Sequence, residues 1–301
     1  MYSFQTAKQL LNLCKKHKMS IGEVAIHYEM SFSGKKREEV IAKMKKTHTV
    51  MWDAVSKAIK KPEMSAFNMA GGSAAKLMKA LKDKKKLIMP PLVIKAMAYA
   101  TATGETNSAM GRIVAFPTAG GAGVVPGVLL AAEEECKYSE EKVIKALFTA
   151  SAIGILIAEN ATLSAAAGGC QAEVGAAVTM ATAALTELRG GTPQQACNAA
   201  AMALKSYLAL VCDPLGGLVA VPCIKRNMLG ASAACAASDA SIAGIESFIP
   251  LDDVIMAMNN IAKIMSPKLR ETALGGLAVT PTGLTIRKKL GLPPLKKNEI
   301  D

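Results

Sequence analysis

ALFTASAIGILIA, residues Ala146–Ala158, is the longest apolar run in a chain of 301 residues, and its reading decides the fold. A helix that crosses a bilayer takes about 20 apolar residues, so this run is too short. It also carries Thr149 and Ser151. It reads as a helix buried in a protein core, with no membrane partner. Outward from it, residues 140–210 continue long, apolar and small-sided, broken at ENATLSAAAGGCQAE (159–173) and RGGTPQQ (189–195). Hydrophobic residues make up 51% of the chain and aromatics only 4%, so the core is built from Ala, Val, Leu, Ile and Met. Small side chains let helices approach closely. Period-two strand patterns and tandem repeats are both lacking. The expected fold class is all-α, a multi-helix bundle-like domain with long Gly/Pro-rich loops.

The flanks agree. TAKQLLNLCKKHK (6–18) and REEVIAKMKKTHTVMWDAVSKAIKK (37–61) place apolar residues three and four apart, and Pro62 ends the second run. Ser73 after Gly71-Gly72 is a candidate N-cap, and Thr192 with Pro193 behind it is another. Pro90-Pro91 divides the chain into an N-terminal helical segment, 1–90, packed on a main helical domain, 91–301, or continuous with it. PTAGGAGVVPG (117–127) is glycine- and proline-rich like a phosphate loop, yet lacks the Gly-Lys-Ser/Thr ending and any GxGxxG. Its glycines instead let backbone approach a ligand or a neighbouring helix.

A scattered-charge N-terminus with no apolar core region carries no secretory signal, which places the protein in the cytoplasm. The formal net charge of +12 raises nucleic acid as a partner. However, the basic stretches lack interleaved aromatics and match no nucleic-acid motif, so no nucleic acid is expected. A solvated basic face or an acidic partner protein remains. Seven cysteines in a reducing compartment do not make a disulfide framework. Cys14, Cys136, Cys197 and Cys235 lie inside helical runs and read as filler. Cys170 after Gly168-Gly169, Cys212 before Asp213-Pro214 and Cys223 after Pro222 sit at helix edges or in loops. Three such thiols suit an iron–sulfur cluster. Zinc would want a fourth Cys or His, and His17, His27 and His48 lie far upstream. Buried, inert cysteines are the alternative.

Polar residues near these thiols are candidates for a substrate site. Thr118 could meet a carboxylate or form a turn. Asn160 and Ser164 could bind polar groups or cap a helix. Arg226 could grip a carboxylate or form a structural salt bridge. Arg270 and Glu271 fit an ion pair that positions the last loop, or a substrate contact. Asp213 reads as a turn or cap residue, and no residue stands out as a base.

MGRIVAFPTAGGAGVVPGVLL (110–130), GGCQAEVGAA (168–177), LVCDPLGGLVAVPCIKRN (210–227) and LRETALGGLAVTPTG (269–283) together resemble the α chain of the iron–sulfur-dependent bacterial L-serine dehydratases. The resemblance runs from about residue 20 to 283, with motifs in the family order. It implies a 4Fe-4S cluster on Cys170, Cys212 and Cys223, no pyridoxal phosphate, and one iron open to a small amino-acid substrate. The implied reaction removes water from L-serine and ends in pyruvate and ammonia. The family occurs as one long chain or as split α and β chains. This chain resembles the split α form, which implies a β chain partner and a hetero-oligomer. Phe67-Asn68 stand where relatives carry Ser-Gly, and Thr162-Leu163 and Ala165 also depart from the family pattern. These changes leave threonine or cysteine as alternative substrates of a related lyase. A non-catalytic helical scaffold is the reading outside enzymes.

Overall fold

A computed structural model describes residues 2–296. Its thirteen α-helices are α1 (Ala7–His17), α2 (Ile21–Ser33), α3 (Arg37–Lys60), α4 (Ser73–Lys82), α5 (Pro91–Ser108), α6 (Val124–Cys136), α7 (Glu140–Asn160), α8 (Ala165–Gly168), α9 (Ala176–Leu188), α10 (Pro193–Lys205), α11 (Cys223–Ile242), α12 (Leu251–Ile264) and α13 (Pro281–Lys289). The all-α expectation holds. Among the described residues the one extended pairing is an isolated parallel bridge between Cys212 and Arg270.

α9 is the axis of the fold. Residues 176–186 are all buried, and α7, α10, α11 and α6 pack around it. A helix buried on every side needs small side chains and no unsatisfied polar groups. AAVTMATAALTEL supplies both. Its three buried threonines bond their hydroxyls back one turn: Thr179 to the Gly175 carbonyl at 2.8 Å, Thr182 to Val178 at 2.7 Å and Thr186 to Thr182 at 2.8 Å. α7, which contains the 146–158 run, is long and apolar enough to cross a membrane, and most of its apolar span is buried in this core. One continuous apolar core runs from Phe4 to Met258, so the helices before residue 90 share it with those after.

Several helix starts are satisfied from far away in sequence. Glu187 at the end of α9 accepts from the Ile21 and Gly22 amides of α2 at 2.7 and 3.0 Å, and from the Thr149 hydroxyl of α7 at 2.7 Å. Asp252 of α12 accepts from Ala7 and Lys8 at the start of α1, at 2.6 and 3.1 Å. Glu105 of α5 accepts from the Ser73 amide at 2.6 Å and the Ala74 amide at 3.4 Å at the start of α4. Ser73 is therefore not the N-cap of α4. Gly72 occupies that position with φ 74°, and the oxygens come from a neighbouring helix. Each carboxylate also meets the positive end of a helix dipole. By contrast, Thr192 caps α10 as expected, in a reciprocal box with Gln195 and with Pro193 in the first turn. The Gly/Pro loop is shorter than its composition suggested. α6 begins at Val124, and Pro126 sits in its first turn, where a missing amide costs nothing.

Glu187→Ala is expected to lower the unfolding free energy by about 2 kcal/mol, since two helix-start amides and a hydroxyl lose a charged acceptor. Glu187→Gln, which keeps one oxygen, is expected to lose about half of that. Urea unfolding of the three proteins checks the order; equal midpoints would remove Glu187 as the tie between α2, α7 and α9.

Candidate functional site

The site is assembled at the ends of helices around a glycine elbow. Gly169 has φ 71°, a left-handed conformation open to glycine. A Cβ there would lie 2.9 Å from the Leu210 carbonyl oxygen and 2.6 Å from the Met265 sulfur. That same carbonyl accepts from the Gln171 amide at 2.9 Å. The elbow thus turns Cys170 inward and feeds a single π-helical stretch, Gln171–Gly175, that leads into α9. π-helical turns recur at functional sites.

Cys212 lies on the extended bridge. Its amide donates to the Leu269 carbonyl at 2.8 Å, and its own carbonyl accepts from the Glu271 amide at 2.9 Å. Gln171 holds this loop against the elbow. Its Oε1 accepts from the Ala209 amide at 2.9 Å, and its Nε2 donates to the Met258 carbonyl at 3.2 Å. Cys223 opens α11 directly after Pro222. All three cysteines are buried, and the Cys170 thiol is within hydrogen-bonding reach of both others. The expected convergence of Cys170, Cys212 and Cys223 is therefore present in the fold. Cys14, Cys197 and Cys235 are buried elsewhere, and Cys136 is exposed.

The Gly/Pro loop closes over the elbow. Gly120 and Gly121 press on Glu173, and a Cβ on Gly121 would stand 2.7 Å from the Glu173 carbonyl oxygen. Asn227, one turn into α11, ties this loop down. Its Oδ1 accepts from the Gly123 amide at 3.0 Å, and its Nδ2 donates to the carbonyls of Gly120 at 2.7 Å and Cys223 at 2.9 Å. A fully buried amide that uses both ends in this way fixes the loop relative to one of the three thiols.

The electrostatics follow from crowding. Hydrogen bonds from the Cys212 and Cys223 thiols hold Cys170 well below the usual thiol range, against the effect of burial and with help from the Arg226 guanidinium. The other two are pushed up, first because they donate to Cys170 and then by burial. Cys170 is thus the first of the three to ionise. Burial works against the Arg226 charge, but Cys170 and Asp213 outweigh it and hold the guanidinium protonated. Arg226 lies 2.9 Å from Asp213 Oδ1 and donates to the Val211 carbonyl at 2.8 Å. Asp213 Oδ2 in turn accepts from the Leu277 amide at 2.8 Å. Asp213 is more than a local turn residue, for it joins α11 to the last loop. Burial pushes the Glu173 carboxyl up to about 7, with the Thr118 hydroxyl opposing and Cys170 and Glu271 adding to the rise. A carboxyl in that range exchanges a proton near neutral pH.

Of the four polar candidates, the fold brings Arg226 to the Cys170 thiol and Thr118 to Glu173, whose carboxylate lies near the Cys212 sulfur. Asn160 donates its amide to the carbonyls of Gln5 at 2.7 Å and Leu156 at 2.8 Å, finishing α7 and tying the N-terminal segment. Ser164 is exposed just before α8. Arg270 and Glu271 do not pair with each other: Arg270 reaches the Ala167 carbonyl at 3.4 Å, and its Nε is buried without a partner. Glu173, Gln171 and Asn227 escaped the sequence reading. A polar residue three or four places from one of the three cysteines was the available signal for Glu173 and Asn227.

The donor set admits a simple test of what it can hold. Soft thiolates select iron–sulfur clusters or zinc. No imidazole joins the three sulfurs, since His48 bonds Glu133 at 2.7 Å and His17 and His27 pack on Tyr2. The other donors nearby are Glu173 and Glu271, whose oxygens lie within 4.8 Å of the Cys212 sulfur and of each other. Three thiols with no fourth soft ligand fit a cluster that keeps one metal open better than a closed zinc site.

Comparison with known proteins bears on this site directly. A family model described as serine dehydratase alpha chain matches residues 16–278, a span that contains all three cysteines. The chain is 47% identical over 287 residues to the probable L-serine dehydratase, alpha chain, of Bacillus subtilis (strain 168), covering 95% of both chains. It is 38% identical over 283 residues to the L-serine dehydratase, alpha chain, of Peptoniphilus asaccharolyticus, covering 94% of this chain and 97% of that one. It is 36% identical over 288 residues to the L-serine dehydratase TdcG of Escherichia coli (strain K12), where it covers 92% of this chain and 62% of the longer relative.

Asn227→Ala is expected to cost about 2–3 kcal/mol in the metal-free protein, because it strands one buried amide and frees two carbonyls. It is also expected to raise proteolytic cutting within residues 111–123. Unchanged stability and unchanged cutting would show that the loop is held by packing alone.

Proposed function

The chain belongs to the serine dehydratase alpha chain family, and from that premise we propose that it is the catalytic chain of an iron–sulfur L-serine dehydratase. It would convert L-serine to pyruvate and ammonia without pyridoxal phosphate. The observation that carries the cofactor assignment is the meeting of three buried thiols, Cys170, Cys212 and Cys223, with no histidine among them. These residues would hold a 4Fe-4S cluster. Bound there, the cluster would supply Lewis acidity at an iron without a protein ligand, suited to a hydroxyl leaving group.

The chain's own residues support that chemistry. The low-lying ionisation of Cys170 prepares one thiolate before any metal arrives. Arg226 keeps a positive charge beside the sulfurs, where it offsets thiolate repulsion and favours an anionic substrate group. The Thr118 hydroxyl and the Glu173 carboxyl face each other across the closed Gly/Pro loop, and this pair can hold a proton next to the thiols. The close approach of Gly120 and Gly121 to Glu173 packs backbone over buried thiols, which limits access of water and oxygen to the sulfurs. The family name and the relatives called alpha chains support a second, β chain as partner in a hetero-oligomer.

Phe67-Asn68 favour a check on substrate. Phe67 has φ 58° and Asn68 φ 55°. Asn tolerates that conformation, whereas a bulky Phe there is an outlier. The turn borders a cavity of about 230 Å³ lined by Met64, Met69, Met110 and Leu218. Threonine and cysteine are the competing substrates to assay beside serine.

Protein prepared without oxygen together with its β chain is expected to contain about four irons and four sulfides per αβ unit. It should release pyruvate from L-serine. Cys170→Ser should bring iron, sulfide and pyruvate to background together. Iron without pyruvate would keep the cofactor and reject serine, and absence of iron after anaerobic reconstitution would reject the cluster.

A further inference from the structure

Two large apolar side chains stand in solvent on backbone that disfavours them. Met110 follows α5 with φ 61° and is 94% exposed. Phe67, with φ 58°, is 60% exposed. Met64, in the same turn as Phe67, is 52% exposed. The turn is not loose. Ser65 donates its amide to the Ala70 carbonyl at 2.7 Å, and its hydroxyl accepts from the Ala70 amide at 2.9 Å. Met110 is held likewise, since the Gly111 amide closes on the Thr106 carbonyl at 2.8 Å. Both side chains are therefore presented on ordered backbone, in a left-handed conformation that persists in proteins chiefly where function requires it.

The position of this patch is as telling as its polarity. The segments 64–69, 107–110 and 218–220 share the lining of one cavity. The last of these runs into Cys223, and Met110 leads into the loop that carries Thr118. The patch is thus built from segments continuous in sequence with the Cys223 helix and the Thr118 loop. Its charge is one-sided. The exposed residues of 57–76, 109–122 and 218–228 include six basic residues and one acid, Glu63. Glu63 is paired with Lys57 at 3.1 Å. Lys60, Lys61, Arg112 and Lys225 are all exposed around the apolar centre. An apolar centre with a charged rim is the anatomy of a protein interface. A second copy of this chain would bring the same positive rim against itself, so the face selects against self-association.

We propose that the face centred on Met64, Phe67 and Met110 is where the β chain docks, through an acidic surface with an apolar centre. The proposal rests on the two-chain reading above. It also accounts for the surface charge: the cations nearest the site act in steering and register, and the association should weaken as salt rises.

The test uses the full α chain and its separately purified β chain, with binding followed by sedimentation under anaerobic conditions. Met110→Asp and Phe67→Asp alter exposed residues, and circular dichroism checks that each variant folds. Each is expected to weaken αβ binding at least tenfold, and Lys60→Glu with Lys61→Glu to weaken it further and flatten its salt dependence. Lys18→Glu, on the α1 side of the molecule, is expected to bind as the wild type does. Binding by the folded variants equal to wild type would overturn the docking face while leaving the two-chain enzyme intact. Self-association of the α chain abolished by Met110→Asp would overturn it in favour of a second copy. Failure of the wild-type chains to associate would overturn it too, and the iron and pyruvate assays then decide separately whether the lyase reading survives.

Discussion

The buried guanidinium of Arg226 is the charge on which the site depends. Three thiols within reach of one another in an apolar interior cannot all ionise against mutual repulsion unless a cation stands beside them. Arg226 stands there, and it is itself affordable only because it pairs with the Asp213 carboxylate at 2.9 Å and donates to the Val211 carbonyl. Asp213 in turn holds the Leu277 amide, so the last loop, the Cys212 bridge and the start of α11 are joined through one ion pair. Removing either partner would leave a buried charge uncompensated, which is costlier than losing an ordinary hydrogen bond.

That arrangement needs a scaffold that does not yield, and the scaffold is α9 and its neighbours. A helix buried on all sides contributes no polar face, so its threonine hydroxyls turn back on their own carbonyls. The π-helical stretch ahead of it shifts the helix register just behind Cys170 and gives Gln171 its two distant backbone partners. Rigidity at the thiols thus originates in small-residue packing and in amide side chains that satisfy irregular backbone. The apolar face at Phe67 and Met110 contrasts with this interior: ordered backbone there presents large side chains to solvent.

The sequence by itself determined the helical class, the burial of the 146–158 run and the Thr192 cap. All of these are local or compositional. Periodicity marks a helix within a few turns, and a capping box spans three residues. The tertiary structure alone decided the rest. It drew Asn160 to the Gln5 carbonyl, away from the thiols, and replaced Ser73 as a cap with Glu105 from another helix. It set Glu187 on α2 across a separation of 166 residues, placed Asn227 on the Gly/Pro loop and raised the Glu173 carboxyl by burial. The physical reason is common to these cases. A buried polar group takes whichever partner the packed helices bring within about 3 Å, and that neighbour is chosen by the fold of the whole chain, not by the residues beside it in sequence.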